Sequence, residues 1–557
     1  METTEKSSHP NKQKRQEVVQ NIINFEAYLE HTNSERQAAK ATGVPRSTCQ
    51  YWKKKKENDE LSPSVVAFFH SIEGLAFLHR LTIAIQFAVT QLGGCGIRVV
   101  QTVLELSQLS HFVASSIGSL HQTAEAMEKC LINYSQEETD RLSKVMQPKE
   151  ITVCSDETFP SGKTCLVGME PVSNFILLEQ FTENRRYETW SQAWDDALID
   201  LPVTVIQSTG DDGQAIVKCA KDRLGVHHSP DVFHIQQDVS KATSAPLRAR
   251  IKSCKKTYES ASKQVDKHLA TKSRDEQSPK PKRGRPIDHN SRIAQAKMQE
   301  ELAEQALKAA EKRRDDVKKS NKALGESYHP VNLKTGEIIT GEVLKKTLNG
   351  HFKTIKAEAE DAGLSDKCLK RIHKASKKVD AMVDTLTFFW LSVNAYLKQQ
   401  LGLSDAVKEI IHDHLIPIYY ITEAAKKASD ADSRKKLTNM RLALVEKFND
   451  EPIWQSLKYS EREQYQKHAL HCARLFQRSS SCVEGRNGQL SLKHHSLSRM
   501  SNRKLKSLTV VHNYFIKRTD GTTAAERFFE DKPKDLFEYL VNHLDYPAIP
   551  AKRRKAA

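Results

Sequence analysis

Three short runs decide the fold: I-T-V-C-S-D at residues 151–156, T-C-L-V-G-M-E at 164–170 and N-F-I-L-L-E-Q-F at 174–181. They are separated by the turn-like S-G-K and P-V-S-N. Short runs rich in β-branched and aromatic residues, bounded by turn residues, read as strands, and three at this spacing predict an antiparallel meander. A helix around residues 188–201 follows, then a strand V-T-V-I-Q-S, a helix over 214–224 ended by Gly225, and a strand near 231–235. The order β-β-β-α-β-α-β predicts a mixed five-stranded sheet with helices packed on it.

Toward the N-terminus, residues 62–145 read as helical throughout, a packing bundle or a second small DNA-binding unit. Before them lies N-S-E-R-Q-A-A-K-A-T-G-V-P-R-S-T-C-Q-Y-W-K-K-K-K from Asn33. Ser34 and Gln37 form a capping box, Gly43 supplies a turn, and Pro45 starts a second helix. On that helix Val44, Cys49 and Trp52 face inward while Arg46, Ser47, Gln50, Tyr51 and Lys54 face outward. This is a helix-turn-helix pattern with polar and basic residues where a recognition helix needs them; a plain helical hairpin with a solvated lysine run is the alternative. The first sixteen residues have no apolar signal-peptide core. The longest apolar stretch, residues 81–92, is shorter than the roughly 20 residues of a membrane helix, so a buried core helix and no membrane partner are expected.

Toward the C-terminus, strand signals almost stop after residue 240. Residues 241–326 hold 23 Lys and Arg against 12 Asp and Glu. A charged helix is expected over 292–324, ended by Gly325, and further helices up to residue 475. The K-P-K-R-G-R-P segment resembles an AT-hook, whose arginines, here Arg283 and Arg285, lie in a narrow minor groove; a flexible loop is the alternative. The K-R-R-K at 552–555 reads as a solvated tail.

At 557 residues the chain exceeds one domain, and its formal charge of +16 points to a polyanion partner, nucleic acid first. None of the ten cysteines forms a C-x-x-C pair, so zinc-ribbon and thioredoxin signatures are absent and free thiols in a reducing cytosol are expected.

Three acids stand where elements end or begin: Asp156 closes the first strand, Asp211 follows the fourth (S-T-G-D-D-G-Q-A-I), and Glu484 opens C-V-E-G-R-N-G-Q-L. Carboxylates at strand ends face the crevice where ligands of α/β folds collect. Three together would bind hard divalent cations, and two such ions can activate a nucleophile and stabilise the leaving oxygen of a phosphodiester. Singly, each has a structural alternative; Asp211 or Asp212 could cap the helix starting near Gln214. Glu157 is a second candidate beside Asp156.

On these residues, together with S-D-E-T-F around Asp156 and S-P-D-V-F-H-I from Ser229, the chain resembles the bacterial insertion-sequence transposases of the DDE class. The resemblance implies an α/β RNase H-like catalytic domain in which the first and fourth strands are parallel neighbours, bringing Asp156 and Asp211 to one sheet edge, with Glu484 delivered from a helix. It implies two Mg²⁺ or Mn²⁺ ions on Asp156, Asp211 and Glu484. Asp231 and His234 look like the C/D-x-x-H signature of the fifth strand, with a buried structural histidine as the alternative. Choosing Asp211 over Asp212 also rests on the family pattern. The 273 residues from Asp211 to Glu484 resemble the subset with a large helical insertion before the glutamate.

The expected organisation is a helix-turn-helix region (1–60), a helical bundle (61–148), the first part of the core (149–240), a basic, mainly helical insertion (241–475), the second part of the core with the glutamate (476–530) and a tail (531–557). Partners implied are double-stranded DNA, as terminal inverted repeats and target, and a second copy of the chain on paired ends, in a bacterial cytoplasm on the nucleoid. Position 490 is Leu490, where hairpin-forming members carry lysine. At 100° per residue, Glu484, Asn487, Ser491 and His495 share one helix face, and Arg486 and Lys493 the opposite one. Gly485 and Gly488 would let a DNA backbone approach, with Arg486 and Lys493 contacting it. A metal-dependent nuclease of the same fold and a non-catalytic DNA-binding regulator are the alternative functions.

Overall fold

The structure is a computed structural model describing residues 10–58, 61–277, 287–428, 430–496 and 500–550. It is mostly helical around a single small mixed sheet. The strands are β1 (Lys149–Thr158), β2 (Thr164–Glu170), β3 (Phe175–Thr182), β4 (Val203–Gly210) and β5 (His227–Pro230), in the order β3-β2-β1-β4-β5. The chain divides into two compact units: residues 1–149, 157–204 and 482–557 form one, residues 150–156 and 205–481 the other.

The β2–β3 pair is antiparallel, as the short turns require, and β4–β5 is parallel, with Ser208 opposite His228 and Gly210 opposite Pro230. β1 and β4 also run in the same direction. At their starts the Lys149 N–H donates to the Pro202 carbonyl (3.1 Å), and at their ends Gly210 lies against the Ser155 carbonyl. Residues 151–156 are buried without a break, the signature of a strand covered on both faces. Gly168 of β2 leaves room for the Trp194 ring, and with Trp190 this seats the Tyr187–Leu198 helix on the sheet.

The final strand is displaced from its expected place. It spans His227–Pro230, and residues 231–235 begin a helix, because the Asp231 carboxylate caps it by accepting from the Phe233 N–H (2.7 Å). That helix runs from Val232 to Glu276, so no break separates core from insertion at residue 240. It returns antiparallel as His289–Ser327: Lys272 donates to Asn290, and Gln236 and Asn321 exchange side-chain-to-carbonyl bonds. Gly325 does not end the second helix. Its missing side chain is where Gln236 of the first helix packs, so the glycine serves helix approach. The remaining helices of this unit, among them Gly341–Asp361 and Val379–Gln399, enclose one apolar core.

In the other unit, Ser34 caps the Glu35–Thr42 helix, Gly43 turns with φ 69°, and Arg46–Asn58 follows. Cys49 is buried with Val44 and Trp52 around it, as the helix-turn-helix pattern predicts. A helix the sequence reading leaves unassigned, Pro10–Thr32, adds Phe25 and Leu29 to that core.

Residues 531–550 are not a tail. The Leu536–His543 helix packs in this unit, Asp545 accepts from the Asn11 and Lys12 amides, and Arg15 donates to the Pro547 and Ala548 carbonyls. The apolar segment is also longer than twelve residues: Ile72–Leu92 is a 21-residue helix, long and apolar enough by length and composition to cross a membrane. Three of its polar residues are bonded to protein across the unit. Arg80 pairs with Glu538, the His79 ring bonds the Val541 carbonyl, and Gln86 donates to the Leu120 carbonyl. Such bonds are those of a helix packed in protein.

Candidate active site

Asp156 and Asp211 belong to the same unit and stand at the exits of two parallel strands. The strands approach so closely there that a Cβ on Gly210 would fall 2.5 Å from the Ser155 carbonyl oxygen. Glycine is therefore a steric requirement at the residue before Asp211. Asp156 is buried two residues before the end of its strand, whereas Asp211, just past the end of β4, is exposed.

Neighbouring acids are otherwise engaged. Asp212 pairs with Lys378 (2.8 Å). Glu157 accepts from the Trp190 indole (3.2 Å) and from Arg185 (2.7 Å), which ties it to the Tyr187–Leu198 helix. Neither Asp211 nor Asp212 caps the Gln214–Lys218 helix: its N-cap is Gly213, without a side-chain bond, and Asp211 accepts instead from the Asp212 amide (2.7 Å).

Two carboxylates at adjacent strand ends are a donor set suited to a hard divalent cation, which prefers oxygen ligands. Among the described residues no three His, Cys, Asp or Glu side chains converge into a complete metal site. Glu484, expected as the third ligand, belongs to the other unit. It is half-buried in the first turn of the Ser481–Ser496 helix, with Asn487 half-buried and Ser491 and His495 exposed on the same face. Gly485 and Gly488 are exposed, and a Cβ at either would meet nothing within 4 Å.

The opposite face of that helix is engaged within its own unit. Arg486 is 3% exposed and makes a bidentate ion pair with Glu179 of β3, Nε to Oε1 at 2.7 Å and Nη2 to Oε2 at 2.6 Å. Thr509 donates to the same carboxylate. The Lys493 ammonium donates to the Gln91 and Leu92 carbonyls at the C-terminus of the Ile72–Leu92 helix, where unpaired carbonyls attract a cation. Burial lowers its pKa. Lys504 donates to Thr90 at the same helix end, and burial pushes it down to about 8 against the opposing pull of Glu128. Arg486 is thus internal and Lys493, partly buried, is engaged by its own unit, because the helix face opposite the glutamate is the one that packs.

The D-x-x-H pair is likewise relocated from a strand to a helix start. Asp231 is buried as the cap, and the His234 Nε2 lies 4.0 Å from its carboxylate. Of the helix-turn-helix residues, Arg46, Ser47, Gln50 and Tyr51 are exposed as expected. Glu35 on the preceding helix is bonded by Lys53 (3.0 Å), which holds its carboxyl below the ordinary range. The side chain of Lys54, and Arg283 and Arg285, lie outside the described residues.

Sequence reading missed Gly210, Lys378 and His228. His228, on β5 opposite Ser208, has no hydrogen-bond partner at either ring nitrogen, and burial pushes its pKa down to about 4. The only signal for Gly210 was its place immediately before the paired aspartates; Lys378, more than 160 residues downstream of Asp212, had none.

A family model described as a family of unknown function (DUF6399) matches residues 411–556, which include Glu484 but neither aspartate. No curated protein and no solved structure matches the chain.

Proposed function

We propose that the chain is a DNA transposase of the DDE class, with an RNase H-like catalytic domain that cleaves phosphodiester bonds and joins the freed 3′ end to target DNA. The observation that carries this reading is the placement of Asp156 and Asp211 at the exits of adjacent parallel strands, β1 and β4. That juxtaposition is what the resemblance required. The exposed carboxylate of Asp211 and the engagement of Asp212 by Lys378 favour Asp211 as the working acid of the pair.

In this reading Asp156, Asp211 and Glu484 would be the carboxylates that hold two Mg²⁺ or Mn²⁺ ions. Bound there, the ions supply charge neutralisation and nucleophile activation for phosphoryl transfer. The chain's own part is positional. β1 and β4 fix two carboxylates through the backbone, the open glycine-bearing face beside Glu484 admits the DNA strand, and Arg46, Ser47, Gln50 and Tyr51 present donors to the terminal repeats. Binding then weakens steeply as salt rises.

The test is cleavage of a supercoiled plasmid carrying the element's ends, with Mg²⁺ or Mn²⁺, followed by a strand-joining assay. Asp156→Asn, Asp211→Asn and Glu484→Gln are each expected to abolish cleavage while leaving end binding intact. Undiminished cleavage by any one of them removes that residue from the site, and cleavage without joining reduces the function to that of a nuclease.

A further inference from the structure

Residues 477–480 lead directly into the Ser481–Ser496 helix that carries Glu484, and they are held one by one. The Gln477 carbonyl accepts from the Gln207 amide of β4 (3.1 Å), whose Nε2 also donates to Ser229 of β5 (2.5 Å). The Arg478 carbonyl accepts from the Val232 N–H (3.1 Å), and its guanidinium donates to the Gly325 carbonyl (2.6 Å). The Ser479 carbonyl accepts from the Cys154 thiol of β1 (3.8 Å) and from the Gln477 side chain. Ser480, fully buried, donates to one oxygen of Asp231 through both its backbone N–H (3.0 Å) and its hydroxyl.

Asp231 is the pivot of this arrangement. One carboxylate oxygen caps the Val232–Glu276 helix through Phe233 and the other receives two bonds from Ser480. A cap needs one oxygen and tolerates serine or asparagine. An aspartate buried to 2% exposure and satisfied on its second oxygen by a residue 249 positions away serves more than the cap. Ser480 is held to that one oxygen by both its backbone and its side chain, so the tightest restraint in the segment falls on the last residue before the helix, four positions ahead of Glu484.

We propose that Asp231 is a positioning residue for the glutamate: it locks Ser480 and so sets the point and register from which the Glu484 helix starts. The inference rests on the transposase reading for the importance of Glu484, but the lock itself does not. A glutamate helix that started with its first turn loose would carry the carboxylate through a range of positions, and misplacement of a reacting group by about 1 Å can cost on the order of 100-fold in rate.

The experiment uses the full chain with Asp231→Ala and, because that change strips a helix cap as well, Ser480→Ala, which removes only the hydroxyl bond. Hydrogen exchange without DNA is expected to show loss of amide protection, tenfold or more, at residues 481–496 in both variants, confined there in Ser480→Ala and joined by the first turn of the Val232–Glu276 helix in Asp231→Ala. End-DNA cleavage is expected to fall at least tenfold in kcat with the DNA concentration dependence unchanged, whereas a general loss of structure would raise exchange everywhere and weaken binding too. Wild-type protection of residues 481–496 in folded Ser480→Ala and Asp231→Ala would overturn the proposal. If the wild-type protein cuts no end substrate the transposase reading fails, and the exchange result still decides the lock.

Discussion

Gly210→Ala is the most direct probe of the strand pair on which the candidate site stands. The glycine is not in a left-handed conformation, so alanine brings no backbone strain and the effect is steric alone. The new methyl would lie 2.5 Å from the Ser155 carbonyl oxygen, against 3.4 Å or more for ordinary contact, so the two backbones must part by about 0.9 Å. The obstructing atom is main chain and cannot rotate aside. Overpacking of this kind costs about 1–3 kcal/mol, which lowers the melting temperature of a unit this size by roughly 2 °C for each kcal/mol. The same displacement separates the strand ends that carry Asp156 and Asp211, so cleavage is expected to fall about 100-fold, far more than the stability loss implies. Gly213→Ala is the control: its methyl would meet only Ile216 at 3.5 Å, an ordinary contact. Thermal melts and plasmid cleavage on the two variants give the answer. Wild-type melting in Gly210→Ala would refute the close approach of β1 and β4, and wild-type cleavage with lowered melting would refute the assignment of the site to their ends.

Two further outcomes follow from buried charges. Arg486→Met leaves Glu179 buried without its bidentate partner and is expected to cost about 3–5 kcal/mol, most of it recovered in the Arg486→Met/Glu179→Met pair; urea unfolding of both checks this, and an additive double variant would show that the pair is not coupled. His512, whose Nε2 bonds the Asn174 carbonyl, is pushed down to about 4 by burial with Arg486 adding to it, so it is neutral when folded and protonates more readily when unfolded. Its contribution is therefore complete above the unfolded pKa near 6.5 and is lost as pH falls from there toward 4, up to about 3 kcal/mol. His512→Gln is expected to flatten that slope in melts across pH 4–7, and an unchanged slope would sink the assignment.

The sheet was legible in the sequence because its strands obey local rules. Apolar runs such as residues 151–156 need both faces covered, and the turns between 156 and 174 are too short for anything but antiparallel neighbours. The failures lie where a side chain decides a boundary. Asp231 turned an expected strand into a helix by capping it, and Gly325, read as a helix stop, sits inside a helix because Gln236 of the opposing helix needs the space. Residues 531–550 looked like a charged tail because their partners, Asn11, Lys12 and Arg15, lie more than 500 positions away. No local pattern encodes such a contact.

The candidate site divides along the same line, and the charge of the chain shows why. The run from Glu484 to Arg518 holds eight Lys and Arg against one acid, Glu484 itself. Yet Arg486 is committed to Glu179, Arg503 to Glu125 and Glu128, and Lys493 and Lys504 to the carbonyls that end the Ile72–Leu92 helix. Composition counts a cation the same whether it faces a phosphate or its own backbone. Helical periodicity did separate the two faces correctly, placing Arg486 and Lys493 opposite Glu484. A helix held by one face offers chiefly the other to a partner. Among the described residues, the basic surface open to a polyanion includes the exposed lysines on the Val232–Glu276 helix, Lys252, Lys255, Lys256, Lys263 and Lys267 among them, and the Arg46 helix. The salt dependence of DNA binding should therefore respond to charge reversal at those lysines and not at Arg486 or Lys493, whose loss would register as unfolding.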